Sequence, residues 1–332
     1  MITEDSFHSS IAAELIDYIS LRQALGRSFQ SASYVLFSLD RFLCELGAPL
    51  ADLTAETFRQ WCQTMESVSS TTRLARMHIV RNFCLYRRRR APDCFVPDPS
   101  QFPKASPRAG PYIFSNIEVA KLLHHSNSIP VLVRSPLRAA TTRLAVVLLY
   151  TTGIRRGELL RLTRADYNPL ERTLTIHSSK FYKSRILPLP NDVSMEVETF
   201  LKKHKSVRPR LPDDAPLILN PRCGGQAYSG TQLRKTLHML FNLDGIQKTD
   251  GRLPRIHDFR FSFAVNVLLR WYRSGFNVQA KLPLLAAYMG HVSVLSTYYY
   301  MRWIEPLASV ASSLFAARYG ALIQEGLDGG VP

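Results

Sequence analysis

Between residues 91 and 111 the chain carries six prolines, at 92, 97, 99, 103, 107 and 111. Each proline fixes φ and removes a backbone donor, so neither a helix interior nor a central strand can run through this stretch. The 332 residues also suit two cores better than one. Lys104 and Arg108 lie between the prolines, and the stretch reads as an extended basic linker. The expected organisation is a helical bundle over 1–90, the linker over 91–111 and a larger domain over 112–332.

Four apolar stripes at helical spacing precede the linker. The first holds Ile11, Leu15, Ile16, Ile19 and Leu25 and stops at Gly26; the second runs from Tyr34 to Leu43 and stops at Gly47. A third opens at Thr54 with Glu56 in its first turn, and a fourth spans about 71–86. The fourth ends in Arg87, Arg88, Arg89 and Arg90. Cations complement the negative end of a helix, but four exceed that need, so these side chains are expected on phosphates.

The charge balance points the same way. Lys and Arg number 42 against 26 Asp and Glu, a formal net charge of +16, which favours a polyanionic partner, nucleic acid ahead of an anionic membrane. A membrane span needs about 20 apolar residues, and the best run, Leu144 to Thr152, falls well short. The opening MITEDSFHSS has no apolar signal region, so a cytoplasmic location is expected. Five cysteines, an odd number without a CxxC pair, argue against a disulfide framework and a zinc knuckle.

After the linker, Ser115 and Glu118 stand at capping-box spacing before a helix. A longer apolar helix over about 137–150 ends at Gly153, where a left-handed closure suits glycine. Thr173–His177 and Ser184–Leu189 alternate as strands of a hairpin with lysines at its tip, and helical patterns resume from about 193. The stretch 306–322 carries apolar residues at helical spacing, which gives a C-terminal helix.

Within this half lie Arg155, Lys180, His257, Arg260, His291 and the run Tyr298, Tyr299, Tyr300. Thr152-Gly153-Ile154-Arg155-Arg156-Gly157-Glu158-Leu159 resembles the T-G-x-R-x-x-E-L box of the tyrosine recombinase (phage integrase) family. Ile256-His257-Asp258-Phe259-Arg260 resembles its H-x-x-R box, and Met289-Gly290-His291 its L-G-H box. Tyr300 follows that histidine by nine residues, as the family pattern requires. Ser179-Lys180-Phe181-Tyr182-Lys183-Ser184-Arg185 stands where the family carries G-K-G-x-K-x-R. Departures are Gly157 for a small polar residue, Phe261 where histidine is common, and Ser179 and Phe181 for the hairpin glycines. Several segments, Leu268–Arg273 among them, resemble members associated with mobile elements.

The resemblance implies a mainly α fold: an N-terminal helical core DNA-binding bundle, then a mixed α/β catalytic domain of helices with a small antiparallel sheet. It implies a site-specific recombinase that cuts and rejoins double-stranded DNA through a 3′-phosphotyrosine, without metal, ATP or other cofactor, as a dimer to tetramer on DNA. Tyr300 is then the nucleophile. Arg155 and Arg260 clamp the non-bridging oxygens, a role that suits permanently charged bidentate donors. A phenol with a pKa near 10 needs help; His257 is the candidate base, and His291 would donate to the phosphate. Lys180, or failing it Lys183, would protonate the leaving 5′-oxygen. Two other readings are a type IB topoisomerase and a non-catalytic architectural DNA-binding protein, which would keep the basic surface without using the tyrosine.

Overall fold

The N-terminal helices form because each buries an apolar stripe on the same small core. In the computed structural model, α1 (Ala12–Ala24), α2 (Gln30–Glu45), α3 (Ala55–Gln63) and α4 (Ser70–Arg87) bury Leu15, Leu36, Leu39, Trp61, Val80 and Phe83 together. The structure describes residues 6–26, 29–47, 52–106, 110–130, 136–177, 184–207, 212–219 and 226–303. The chain divides into two units, Met1–Ala109 and Gly110–Pro332. Thr54 caps α3 in a reciprocal box with Thr57, and buried Asp40 of α2 accepts the backbone N–H groups of His8 and Ser9, each at 3.0 Å.

Two features of this unit differ from the sequence reading. Arg87, expected on phosphate, is only 7% exposed. It ion-pairs with Glu14 at 2.6 Å and Asp52 at 2.8 Å, fastening α4 to the first helix and to the turn before α3. Arg87 is the last residue of α4 and lies on the same face as buried Val80, Phe83 and Cys84, so its side chain points inward. Arg88, Arg89 and Arg90 are exposed, Arg90 reaching Asp17 at 3.1 Å; Lys104 is exposed too. The proline-rich stretch, in its described part, is held on this core. Phe102 is buried with it and Phe95 and Val96 pack against it, while Arg81 Nε donates to the Pro97 carbonyl at 3.1 Å. Irregularly spaced aromatic residues among prolines bury surface without a period, which is why the pattern read as free linker. Arg108 lies outside the described residues.

In the second unit Ser115 caps α5 (Asn116–Asn127) in a reciprocal box with Glu118. The central α6 (Arg138–Thr152) is buried along most of its length and ends at Gly153, with φ +60°, where a Cβ would meet the Phe263 ring at 2.5 Å. Next come α7 (Arg156–Leu159) and an antiparallel sheet of β1 (Tyr167–Asn168), β2 (Thr173–Ile176) and β3 (Arg185–Pro188) in that order. The hairpin register sets Leu174 opposite Leu187 and Ile176 opposite Arg185. β1, two residues long, was too short to leave an alternation in the sequence. The hairpin tip, 178–183, with Lys180 and Lys183, and the expected C-terminal helix at 306–322 lie outside the described residues.

The helices α8 (Asn191–Val207), α9 (Gly230–Leu243), α10 (Ile256–Arg273), α11 (Val278–Met289) and α12 (Leu295–Tyr298) complete this unit, followed by a 3₁₀ turn, Tyr299–Trp303. The α10 helix is fixed at its start by Phe259, stacked on Phe114 at 4.3 Å, and by Ser262, which accepts the Phe114 N–H at 2.8 Å. Among the described residues no helix is long and apolar enough to cross a membrane.

Removing Arg87 strands two carboxylates that both keep some solvent. Arg87→Met is therefore expected to cost about 2 kcal/mol in urea unfolding, less than the full loss for a wholly buried pair. Arg89→Ala should stay within about 0.5 kcal/mol of wild type. Equal effects of the two substitutions would contradict the assignment.

Candidate active site

Three consecutive carbonyls at the C-terminal end of α11 are each held by a different arginine. The Tyr288 carbonyl accepts from Arg185 Nε at 2.9 Å, Met289 from Arg260 Nη2 at 2.7 Å and Gly290 from Arg155 Nη2 at 2.8 Å. Carbonyls at a helix end lack intrahelical partners, and the helix dipole favours cations there. The arginines come from separate elements: Arg155 from the N-cap of α7, Arg185 from β3 and Arg260 from α10. Gly290 closes the helix with φ +66°, and the Arg185 guanidinium lies where its side chain would be, 2.8 Å from an added Cβ.

Glu158 holds the cations together. Its oxygens accept from Arg155 Nη1 at 2.7 Å, from the Arg155 backbone N–H at 3.0 Å and from Arg185 Nη1 and Nη2 at 3.2 and 2.8 Å. Burial disfavours its charge, but Arg185 first and then Arg155 outweigh that, and its pKa falls to about 2. Arg155 thus pairs with Glu158 across one helical turn while also reaching the Gly290 carbonyl.

Arg260 is 2% exposed and also donates to the Gly153 carbonyl at 2.7 Å and lies 2.8 Å from His291 Nε2. Burial lowers its pKa to about 10, with the Tyr300 hydroxyl acting against that shift and Arg155 adding to it. A guanidinium has no acceptor, so His291 Nε2 must accept, which leaves a neutral ring with its proton on Nδ1. That nitrogen is 2.7 Å from Thr297 Oγ1. Burial and then Arg260, Arg155 and Arg185 hold the His291 pKa at about 3.

Tyr300 is 4% exposed. Its ring stacks on His291 at 5.8 Å and meets the edge of Phe261 at 4.9 Å. His257, three residues before Arg260, also meets Phe261 edge-on at 5.4 Å. Its outer surface is open, yet packing on its inner side, followed by the Arg260 charge, takes its pKa to about 4, with Asp258 opposing; solvent at the open edge screens part of this. The structure thus brings Arg155, Arg260, His291 and Tyr300 together with His257 at their margin.

Comparison with known proteins shows the family. Residues 114–304 match the model described as the phage integrase family. The chain belongs to that family, the tyrosine recombinases. It is 29% identical over 287 residues to the putative integrase/recombinase y4rB of Sinorhizobium fredii, covering 86% of this chain and 90% of that protein. Two solved structures share the fold. The XerH site-specific recombinase bound to a palindromic difH substrate aligns with TM-score 0.61 at 19% identity over 86% of this chain and 79% of its own. The Tn1549 transposon integrase with a circular intermediate DNA aligns with TM-score 0.61 at 16% identity over 88% and 95%.

Two polar side chains in this recombinase's site escaped the motif reading. Arg185 had a signal, as the last residue of the hairpin pattern. Thr297, whose hydroxyl meets His291 Nδ1, had none. Both histidines favour the neutral form when folded, whereas an unfolded histidine titrates near 6.5. The unfolded chain therefore binds more protons as pH falls, and the stability these rings contribute is present above about pH 6.5 and lost toward their folded values. Urea midpoints measured from pH 7 to 5 are expected to fall more steeply for wild type than for the double variant His257→Gln/His291→Gln. Parallel curves would mean that the rings are not held neutral.

Proposed function

We propose that this chain cuts and rejoins DNA strands at specific sites through a 3′-phosphotyrosine, with Tyr300 as nucleophile. The observation that carries the reading is the convergence of the Tyr300 ring, stacked on His291, with Arg260 and Arg155 around one helix end. In the reaction the phenolic oxygen bonds to phosphorus while the bond to the 5′-oxygen breaks. The phenolic proton passes to His257 and the 5′-oxygen takes one from Lys180, with Lys183 the second candidate. Arg155 and Arg260 stabilise the charge that builds on the non-bridging oxygens, commonly the largest single contribution to such a rate. The energy of the broken ester stays in the phosphotyrosine, so a 5′-hydroxyl can reverse the step without ATP.

Burial first, and then the cations around them, depress the pKa of both histidines, and a phosphodiester supplies negative charge that opposes the cations' share. Its arrival raises their proton affinity. His257 becomes a better base, and His291, whose Nε2 accepts from Arg260 in the free protein, becomes able to donate to the phosphate. Exposed Arg88, Arg89, Arg90 and Lys104 supply sequence-independent phosphate contacts. The complex of XerH with a palindromic substrate supports double-stranded DNA as the partner. A palindromic site is the counterpart of a two-fold protein assembly, in keeping with two or four copies of this chain acting together.

Wild type incubated with nicked duplexes tiling the DNA beside its own gene is expected to give a denaturation-resistant adduct, and Tyr300→Phe none. Arg260→Ala should slow adduct formation by a factor on the order of 100 to 1,000. Tight, specific binding with no adduct from wild type would favour the architectural reading. Replacing Arg88 and Arg89 together by alanine should reduce the slope of log affinity against log salt by about 2; an unchanged slope would remove them from the contact set.

A further inference from the structure

Arg185 stands at the root of the hairpin, opposite Ile176, the last residue of β2. Its side chain is 10% exposed. All three of its nitrogens are engaged: Nη1 and Nη2 on Glu158, and Nε on the Tyr288 carbonyl. A side chain so enclosed is poorly placed to meet a phosphate, but it touches everything that orients the groups that can. Through Glu158 it fixes the partner of Arg155, and through Tyr288 and the space above Gly290 it fixes the residues that lead into His291.

We propose that Arg185 is a positioning residue for strand cleavage, which sets Arg155 through Glu158 and His291 through the end of α11. The proposal rests on the recombinase reading given above. The geometry explains why arginine is needed. Glu158 presents two oxygens and is shared by two guanidiniums. Without the Arg185 fork, Arg155 can turn to take both oxygens bidentately, which withdraws its Nη2 from the Gly290 carbonyl. The α11 end then loses two of its three caps, and the His291 ring loses the fixed backbone that presents it to Arg260. A lysine keeps the charge opposite Glu158, but its compact ammonium cannot span the two carboxylate oxygens and the Tyr288 carbonyl in the planar arrangement of a guanidinium. A displacement of about 1 Å in such a site can cost on the order of 100-fold in rate.

The test compares full-length wild type, Arg185→Lys and Arg185→Met, each also combined with Glu158→Gln. Three measurements are made: adduct formation at saturating protein on the nicked duplexes, DNA affinity, and amide hydrogen exchange of the DNA-free protein. Arg185→Met risks folding poorly because it leaves Glu158 less neutralised; Arg185→Lys avoids that. The expected result for Arg185→Lys is adduct formation slowed by on the order of 100-fold with affinity retained. The Gly290 and His291 amides, bonded to Ala287 and Ala286, should exchange faster while those of α6 are unchanged. In the Glu158→Gln background the further loss should shrink. Wild-type cleavage by Arg185→Lys, or exchange accelerated throughout the unit, would overturn the proposal. Absence of an adduct from wild type itself would count against the recombinase reading, and the amide exchange would then decide alone whether Arg185 holds the end of α11.

Discussion

Two of the site's arginines, Arg155 and Arg185, share the carboxylate of Glu158, and the arrangement depends on it. Arg155 and Arg185 approach it from two elements, while Arg260 comes in from a third beside them. Bringing guanidiniums this close costs electrostatic energy, and the site offsets it in two ways. One is the buried negative charge of Glu158, kept ionised by the arginines themselves. The other is the end of α11, whose last carbonyls carry the negative pole of the helix and have no other partners. Each arginine takes one carbonyl, so the same contacts that relieve the repulsion also fix the positions of the cations.

That compensation is partial, and the histidines record the remainder. Burial first, and then repulsion by these cations, keep His257 and His291 neutral at ordinary pH. For His291 the consequence is structural as well as electrostatic. Only a neutral ring can accept from Arg260, and only the tautomer protonated on Nδ1 can then donate to Thr297. The turn that carries Thr297 also leads into Tyr300, so the imidazole links the arginines to the element that bears the tyrosine.

The residues with intrinsic chemistry were legible in the sequence because they fall in short boxes whose order is informative even when each box alone is weak. Arg155, Arg260, His291 and Tyr300 come from distant segments and meet in one place, with His257 alongside. The helical patterns before and after the linker and the hairpin of β2 and β3 were legible too, since each buries a face with its own period. Three features were not. Arg87 sat in a run of four arginines that looked uniform, and only the inward direction of the last turn of α4 separates it from its neighbours. Phe95, Val96 and Phe102 bury surface without any period. The caps on α11 are backbone carbonyls, which every residue possesses and no sequence pattern marks.

The closed state of the site bears on how it could be used. Arg260 and Tyr300 are almost entirely enclosed, and Arg260 already has acceptors in Gly153, Met289 and His291. In the proposed reaction a phosphate would have to compete for Arg260 with two carbonyls that belong to helix ends fixed by packing and with the His291 side chain. Arg155, partly open to solvent, is the natural first contact. Exchange of the His291 nitrogen for a phosphate oxygen at Arg260 would free a ring whose proton affinity the incoming charge has just raised. On the proposed function, substrate entry and proton uptake would then be a single event, and a cation cluster that is costly when empty would be the means of recognising an anion.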